Sequence, residues 1–305
     1  MKVLNLLFHT FLLCTILCGA CHKETEPKAV VPVQHNYSSD SMQIIALTPT
    51  FDCLPFYWAV RHGLYEQMGL DIQIKTFASQ FDCDSAILGQ TAVGGATDLV
   101  RIEYYKHKKR NLEILTMTDN QWGLVVSREL RIKTADKLEN RMVAVARFSA
   151  SDYYSKKILK QNSLAYTDVF RPQINDLALR TTMLNENQIN AAVLPEPFLT
   201  WARIEKHTIL ADSLNFGCKL NCFAINPTAL KKTKDKDFSQ KIIRGYNMAV
   251  DSLNKKGIAS CRSILLNDYH LPEKVINAIH PTRFAHAQQP DAKSLEEARQ
   301  FVLNH

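Results

Sequence analysis

The tripeptide Phe-Asp-Cys occurs twice, as Phe51-Asp52-Cys53 and Phe81-Asp82-Cys83. Each supplies an aromatic ring, a carboxylate and a thiol, types that suit a metal, a disulfide or a ligand. Zinc needs thiolate or imidazole ligands at recognisable spacing. There is no Cys-x-x-Cys, no His-Glu-x-x-His and no Cys/His cluster, and the ten histidines are scattered. A metal therefore ranks below a bridge or two buried thiols. The similarity ends with the tripeptide, which argues against an internal repeat. No Gly-x-Ser-x-Gly, phosphate-cradling Gly-Lys-Ser/Thr loop or dinucleotide fingerprint occurs, so no catalytic residue and no cofactor is expected.

The elements that position these groups follow from periodicity. The 305 residues are 46% hydrophobic and 22% charged, enough for a buried core. The net charge of +7 is spread along the chain. The basic run KHKKR (106–110) follows a helical pattern and reads as a solvated helix end, so no nucleic-acid partner is expected. From Met42, short apolar runs alternate with helical periods: MQIIALTP, LPFYWAVRHGLYEQMG, LDIQIKTF, DSAILGQ, TAVGGAT, DLVRIEYYKHK and LEILTM. The rhythm restarts after WGLVVS with RMVAVA, SDYYSKKILKQN, DVFRPQI, DLALRTTMLNEN, INAAVL, PFLTWARIEK and HTILAD, and ends in a helical tail. That order predicts α/β architecture with mainly parallel sheets covered by helices. It divides the chain into a first lobe (42–124), an inserted second lobe (125–221), and a return to the first lobe with the C-terminal helices (222–305). The chain would cross near Trp122–Ser127 and Leu220–Ile225.

Residues 1–20 read as an export signal: Lys2, an apolar stretch, then Gly19 and Ala20 before Cys21. Cys21 is the expected lipid acceptor. Residues 21–41 read as a flexible polar tether. An envelope location, facing the periplasm or the exterior, follows. Five other thiols remain in the exported domain, at Cys53, Cys83, Cys218, Cys222 and Cys261.

The stretch LRTTMLNENQINAAVLPEPFLTWA resembles the periplasmic solute-binding proteins for sulfonates, nitrate and thiamine pyrimidine precursors. FYWAVRHGLYEQMGLDIQI, GGATDLVR and VAVARFSASDYYSKKIL fit the same family in the same order. The resemblance implies a type II two-lobed clamp, a monomer that delivers a small-molecule solute to an ABC transporter permease. An enzyme on the same fold is the alternative that the resemblance also brings: some relatives make the thiamine pyrimidine with a Cys-rich motif absent here, and others dehydrate small acids but lack an export signal.

In open α/β sheets, ligands bind beyond the carboxyl ends of the strands. The loops there hold Phe51, Phe81, Trp122 and Phe198, and the acids Asp52, Asp82, Asp119 and Glu196. Thr97 lies in GGATD, while Asp84 and Asp98 read as helix caps. Surface solvation explains each acid as readily as ligand contact. Glu196, between two prolines and in the family's ligand-facing stretch, is the first choice. Carboxylates with flat rings suit an amino-substituted heteroaromatic such as a thiamine pyrimidine precursor. Ser149 and Ser151, with the free amides of the helix that follows, suit instead a sulfonate, nitrate or other small anion. Cys53 and Cys83 would each follow one of two neighbouring strands, about 4.8 Å apart, within reach of a disulfide.

Overall fold

The computed structural model describes residues 42–233 and 235–305. The expected export signal, the tether and Cys21 lie outside them. Two sheets form, the first from the opening four strands and the last, the second from the four between. The first contains β1 (Gln43–Leu47), β2 (Ile72–Thr76), β3 (Gly94–Asp98), β4 (Glu113–Met117) and β9 (Asn221–Ile225), in the order β2-β1-β3-β9-β4. The second contains β5 (Trp122–Val126), β6 (Val143–Ala144), β7 (Ala191–Pro195) and β8 (Thr208–Asp212), in the order β6-β7-β5-β8.

The fold class is the expected one, with mixed sheets. β1 runs parallel to β2 and β3, and β6 runs parallel to β7. β9 is antiparallel to β3 and β4, and β5 is antiparallel to β7 and β8. The cause is the two crossings. β5 carries the chain out of the first sheet, β9 carries it back, and each settles against the direction of its neighbours. Pairing of Trp122 with Pro195 starts the second sheet at residue 122, not 125, and Asn221 already belongs to the first. The crossing segments are thus 118–121 and 217–220.

DVFRPQI, expected as a strand, forms only two bridges to the β6 region, Met142 with Phe170 and Val145 with Gln173. Pro172 has no N–H to donate, so a regular ladder cannot pass through it. TAVGGAT, expected as a short strand, supplies most of β3, and the strand runs on to Asp98, so GGATD is not one of the loops at the strand ends. Its glycines permit close approach: a Cβ on Gly95 would collide with the Ala46 carbonyl of the neighbouring strand.

Helices cover both sheets. In the first half, α1 (Leu54–Arg61), α2 (Gln80–Leu88) and α3 (Leu99–His107) follow the strands. In the second, α4 (Ala150–Gln161), α5 (Leu177–Asn185) and α6 (Phe198–Ile204) do so. The tail holds α7 (Pro227–Leu230), α8 (Phe238–Lys256), α9 (Arg262–Asn267), α10 (Glu273–Ile276) and α11 (Ala292–Leu303). α8 buries Phe238, Ile242, Gly245, Tyr246, Ala249, Val250 and Leu253, an i, i+3/i+4 stripe that packs on α1. Phe56 of α1 stacks on Phe223 of β9 at 4.6 Å and lies 4.8 Å from Tyr246. α11 packs on α3 and also reaches the second half, where Glu297 accepts from the Tyr153 hydroxyl at 2.7 Å. No helix among the described residues is long and apolar enough to cross a membrane.

Candidate functional site

The carboxyl ends of β1, β3 and β7 face one another where the chain crosses between halves. Asp52 sits at the centre of this meeting and is buried. Its carboxylate accepts from Asn120 Nδ2 of one crossing at 2.7 Å and from Asn221 Nδ2 beside the other at 3.0 Å. The Trp122 indole donates to Asn221 Oδ1 at 2.8 Å. Burial pushes the Asp52 carboxyl up, against the pull of these hydrogen bonds. Asp52 therefore ties the two crossings together and does not face solvent.

Two cavities flank the crossings. The larger, about 610 Å³, is lined by Phe51 and Tyr154, by Asp119 and Glu196, and by Arg203 and Arg283, among others. Glu196 reaches it from the end of β7, preceding a cis peptide bond to Pro197. Its Oε2 accepts from the Thr200 amide at 3.0 Å, in the first turn of α6, and Oε1 lies 3.7 Å from Arg203 Nη1. Asp119 pairs with Lys219 at 2.6 Å. His280 and Arg283, from the segment after α10, also line the cavity. Neither side chain has a hydrogen-bond or ion-pair partner among the described residues.

The smaller cavity, about 30 Å³, is lined by Trp122, Ser149 and Ser151, and by Asp98, Arg180 and Gln80, among others. At this size it holds at most a couple of waters, because the halves touch around it. Asp98 Oδ1 accepts from the Arg101 amide at 2.9 Å, capping α3, while Oδ2 accepts from the Ala150 amide of α4 at 3.1 Å. The Leu177 amide meets the Ala78 carbonyl at 3.4 Å, and the Phe51 amide meets the Glu196 carbonyl at 3.2 Å. These bonds join the first half to the second, so the cleft is closed on this side. Arg180 is buried and bonds only to the carbonyls of Ile174 and Val193. Desolvation pulls its pKa down to about 10.

The residues expected at a ligand are thus divided. Phe51, Asp119 and Glu196 line the large cavity, and Trp122, Ser149 and Ser151 the small one. The two serines are turned inward: Ser149 Oγ donates to the Ala146 carbonyl at 2.6 Å and accepts from the Ser151 amide at 3.2 Å. The others lie elsewhere. Thr97 is buried in β3, its hydroxyl without a partner. Phe198 is buried beside Trp201. Phe81 and Asp82 open α2 and are exposed, because the second Phe-Asp-Cys is helical and not a loop. Asp82 bonds the Ser79 hydroxyl at 2.7 Å.

The expected Cys53–Cys83 bridge is absent: both are buried free thiols. Cys53 packs with Ile45 and Leu47 on one face of the first sheet. Cys83, inside α2, packs with Ala46 on the other. Alternation along β1 puts the two on opposite faces. Among the described residues, no group of three or more His, Cys, Asp or Glu is placed to hold a metal. Asp84, read as a cap, lies inside α2 and forms a buried ion pair with Arg101. Sequence reasoning passed over Tyr154, Arg180 and Arg203; each sits at a helical position that reads as ordinary core or surface.

Comparison with known proteins identifies the family and the fold. A family model described as NMT1/THI5 like matches residues 50–252. No curated protein matches the chain. Solved structures do. The periplasmic aliphatic sulphonate binding protein SsuA from Escherichia coli is 17% identical, covering 87% of each chain, with a TM-score of 0.71. The alkanesulfonate-binding protein SsuA from Xanthomonas axonopodis pv. citri, bound to MOPS, is 15% identical over 86% of this chain and 91% of that one, with a TM-score of 0.73. The periplasmic nitrate-binding protein NrtA from Synechocystis PCC 6803 is 12% identical over 83% and 74%, with a TM-score of 0.64. At these identities the shared property is the fold, that of the periplasmic binding proteins.

Proposed function

The chain belongs to the NMT1/THI5-like family, and from that premise we propose that it is the solute-binding component of an ABC importer. It captures a small organic solute between its halves and delivers it to a permease. The protein is exported, carries lipid on Cys21, is tethered by residues 21–41, and works as a monomer without enzymatic activity. The halves act as lobes: solute binds one, the lobes rotate about segments 118–121 and 217–220, and the closed form is selected.

The observation that carries this reading is the interlobe cavity of about 610 Å³. That volume lies in the range of small-molecule sites and far exceeds what nitrate would fill. Phe51 and Tyr154 offer it flat walls, and Glu196 and Asp119 offer it carboxylates. An amino-substituted heteroaromatic, such as a thiamine pyrimidine precursor, meets both. The second reading, an organic anion such as a sulfonate, draws support from Arg203, His280 and Arg283 in the same cavity. It also draws on the solutes named for the structural relatives.

A thermal-shift panel of aminopyrimidines, sulfonates, nitrate and amino acids tests the reading. At a hundred times Kd, a true ligand stabilises by about 2.7 kcal/mol, a plain rise in Tm. A shift with aminopyrimidines alone supports the favoured solute. A shift with sulfonates alone selects the second reading, and no shift with any small solute rejects capture of this class. Small-angle scattering of the same samples reports the rotation.

A further inference from the structure

One carboxylate touches both halves at a helix start. Asp98 ends β3 and caps α3 through the Arg101 amide at 2.9 Å. Its other oxygen accepts from the Ala150 amide, at the start of α4 in the opposite half, at 3.1 Å. α4 runs for 12 residues, and its first N–H groups carry the positive end of the helix dipole. A helix start facing a cleft would ordinarily receive a ligand oxyanion. Here a side chain of the protein, 3% exposed, receives that amide instead. The Ser149 hydroxyl takes the Ser151 amide, and Asp152 accepts from the Phe148 amide at 2.8 Å. Three donors at this helix start, the amides of Phe148, Ala150 and Ser151, are therefore engaged before any solute arrives.

We propose that Asp98 is a specificity-determining residue. Its carboxylate is a built-in anion that fills the α4 helix start when the halves close, and it excludes oxyanions from that end of the cleft. The proposal rests on the reading of the interlobe cleft as a solute site and names the charge class that site rejects. Like charges confined in a low-dielectric space repel strongly, and the donor an oxyanion would need is already engaged. Arg180 lines the same small cavity with no carboxylate in contact, so removing Asp98 leaves two sources of positive potential, the helix start and the guanidinium.

Burial pushes the Asp98 carboxyl up to about 7, opposed chiefly by Arg101. The other charged group facing it is Asp84 of α2, which raises it further. Tyr154 of α4 and Cys222 of β9, which also sense Asp98, are pushed up by burial and are neutral. Measurements at pH 8 therefore compare an ionised Asp98 with its replacements.

The experiment is titration calorimetry of ethanesulfonate, at pH 8, into the wild type, Asp98→Asn and Asp98→Ser. Asn keeps the shape and removes the charge. Ser keeps the α3 cap and is too short to reach Ala150. Asp98→Ser is expected to bind ethanesulfonate at least tenfold more tightly than the wild type, with Asp98→Asn between them. Should the serine variant fail to fold, the near-isosteric asparagine variant decides alone. Wild-type binding as tight as either variant's, or no gain in a folded variant, overturns the proposal. 4-Aminopyrimidine is titrated into the same three proteins. A wild type that ignores both solutes counts against the favoured solute, while a sulfonate gain in the variants still upholds the role of Asp98.

Discussion

Replacing Glu196 by Gln separates binding from stability. In the structure its carboxylate does two jobs. Oε2 accepts from the Thr200 amide at 3.0 Å, which a Gln carbonyl oxygen can also do. Oε1 lies 3.7 Å from Arg203 Nη1, and the Arg203 side chain is 36% exposed. A pair that long and that wet contributes about 0–1 kcal/mol after solvent screening. Arg203 also keeps a second partner, the Thr200 hydroxyl, at 3.2 Å. Unfolding in urea should therefore change by less than about 1 kcal/mol. Binding should change more. An amine held by a carboxylate makes a charge-assisted hydrogen bond worth about 1.5–3 kcal/mol, against about 0.5–1.5 kcal/mol for the neutral bond a Gln would offer. The difference, about 1–1.5 kcal/mol, converts to roughly five- to tenfold in Kd. Calorimetric titration with an aminopyrimidine, alongside urea melts of both proteins, gives the two numbers. A Kd within twofold of wild type, at equal stability, would refute the assignment of Glu196 to the solute. A fall in both by the same amount would show that the variant merely loosens α6.

Four further outcomes follow from particular contacts. Gly95→Ala should destabilise by about 1–3 kcal/mol or more, read from the urea midpoint, because the new Cβ meets the backbone carbonyl of Ala46, which cannot move without parting β1 from β3. Gly245→Ala sets a helix-propensity gain of about 1 kcal/mol against a collision with the buried Tyr65 ring, and a net loss of stability is expected. Thiol titration of the domain from Met42 onward should find all five of Cys53, Cys83, Cys218, Cys222 and Cys261 reactive in denaturant without reductant, and almost unreactive when folded; three in denaturant would mean the bridge exists. The folded Asp98 pKa of about 7 lies above its ordinary 3.8, so its favourable contribution is full below about 4 and is lost as pH rises through 7. The stability of the wild type relative to Asp98→Asn should therefore fall between pH 5 and pH 8, and a flat difference would contradict the burial of an ionisable Asp98.

Much of the fold was legible in the order of elements. Short β-branched runs alternating with helical periods, a restart after WGLVVS and a helical tail correspond to two sheets and their covering helices, with the second sheet starting at Trp122, three residues before the boundary read from the sequence. These are local signals, set by periods of 2 and 3.6. The site was legible in residue type more than in role. Phe51, Asp119 and Glu196 do line the large cavity. Asp52 shares its tripeptide with Phe51, yet it braces the crossings through Asn120 and Asn221, residues about seventy and a hundred and seventy positions away.

The sequence by itself determined which segments become strands and helices and where glycine must stand, because backbone sterics and burial patterns act within a few residues. It also determined the family. Only the tertiary structure decided that the two Phe-Asp-Cys copies differ, one in a turn and one in a helix, with their thiols on opposite faces of a sheet. It also decided that Asp98, an ordinary helix cap by its sequence, spans two halves. The reason is physical: a cap needs only its own first turn, whereas a cross-cleft bond depends on where a distant helix start, Ala150, is carried by the sheet that holds it.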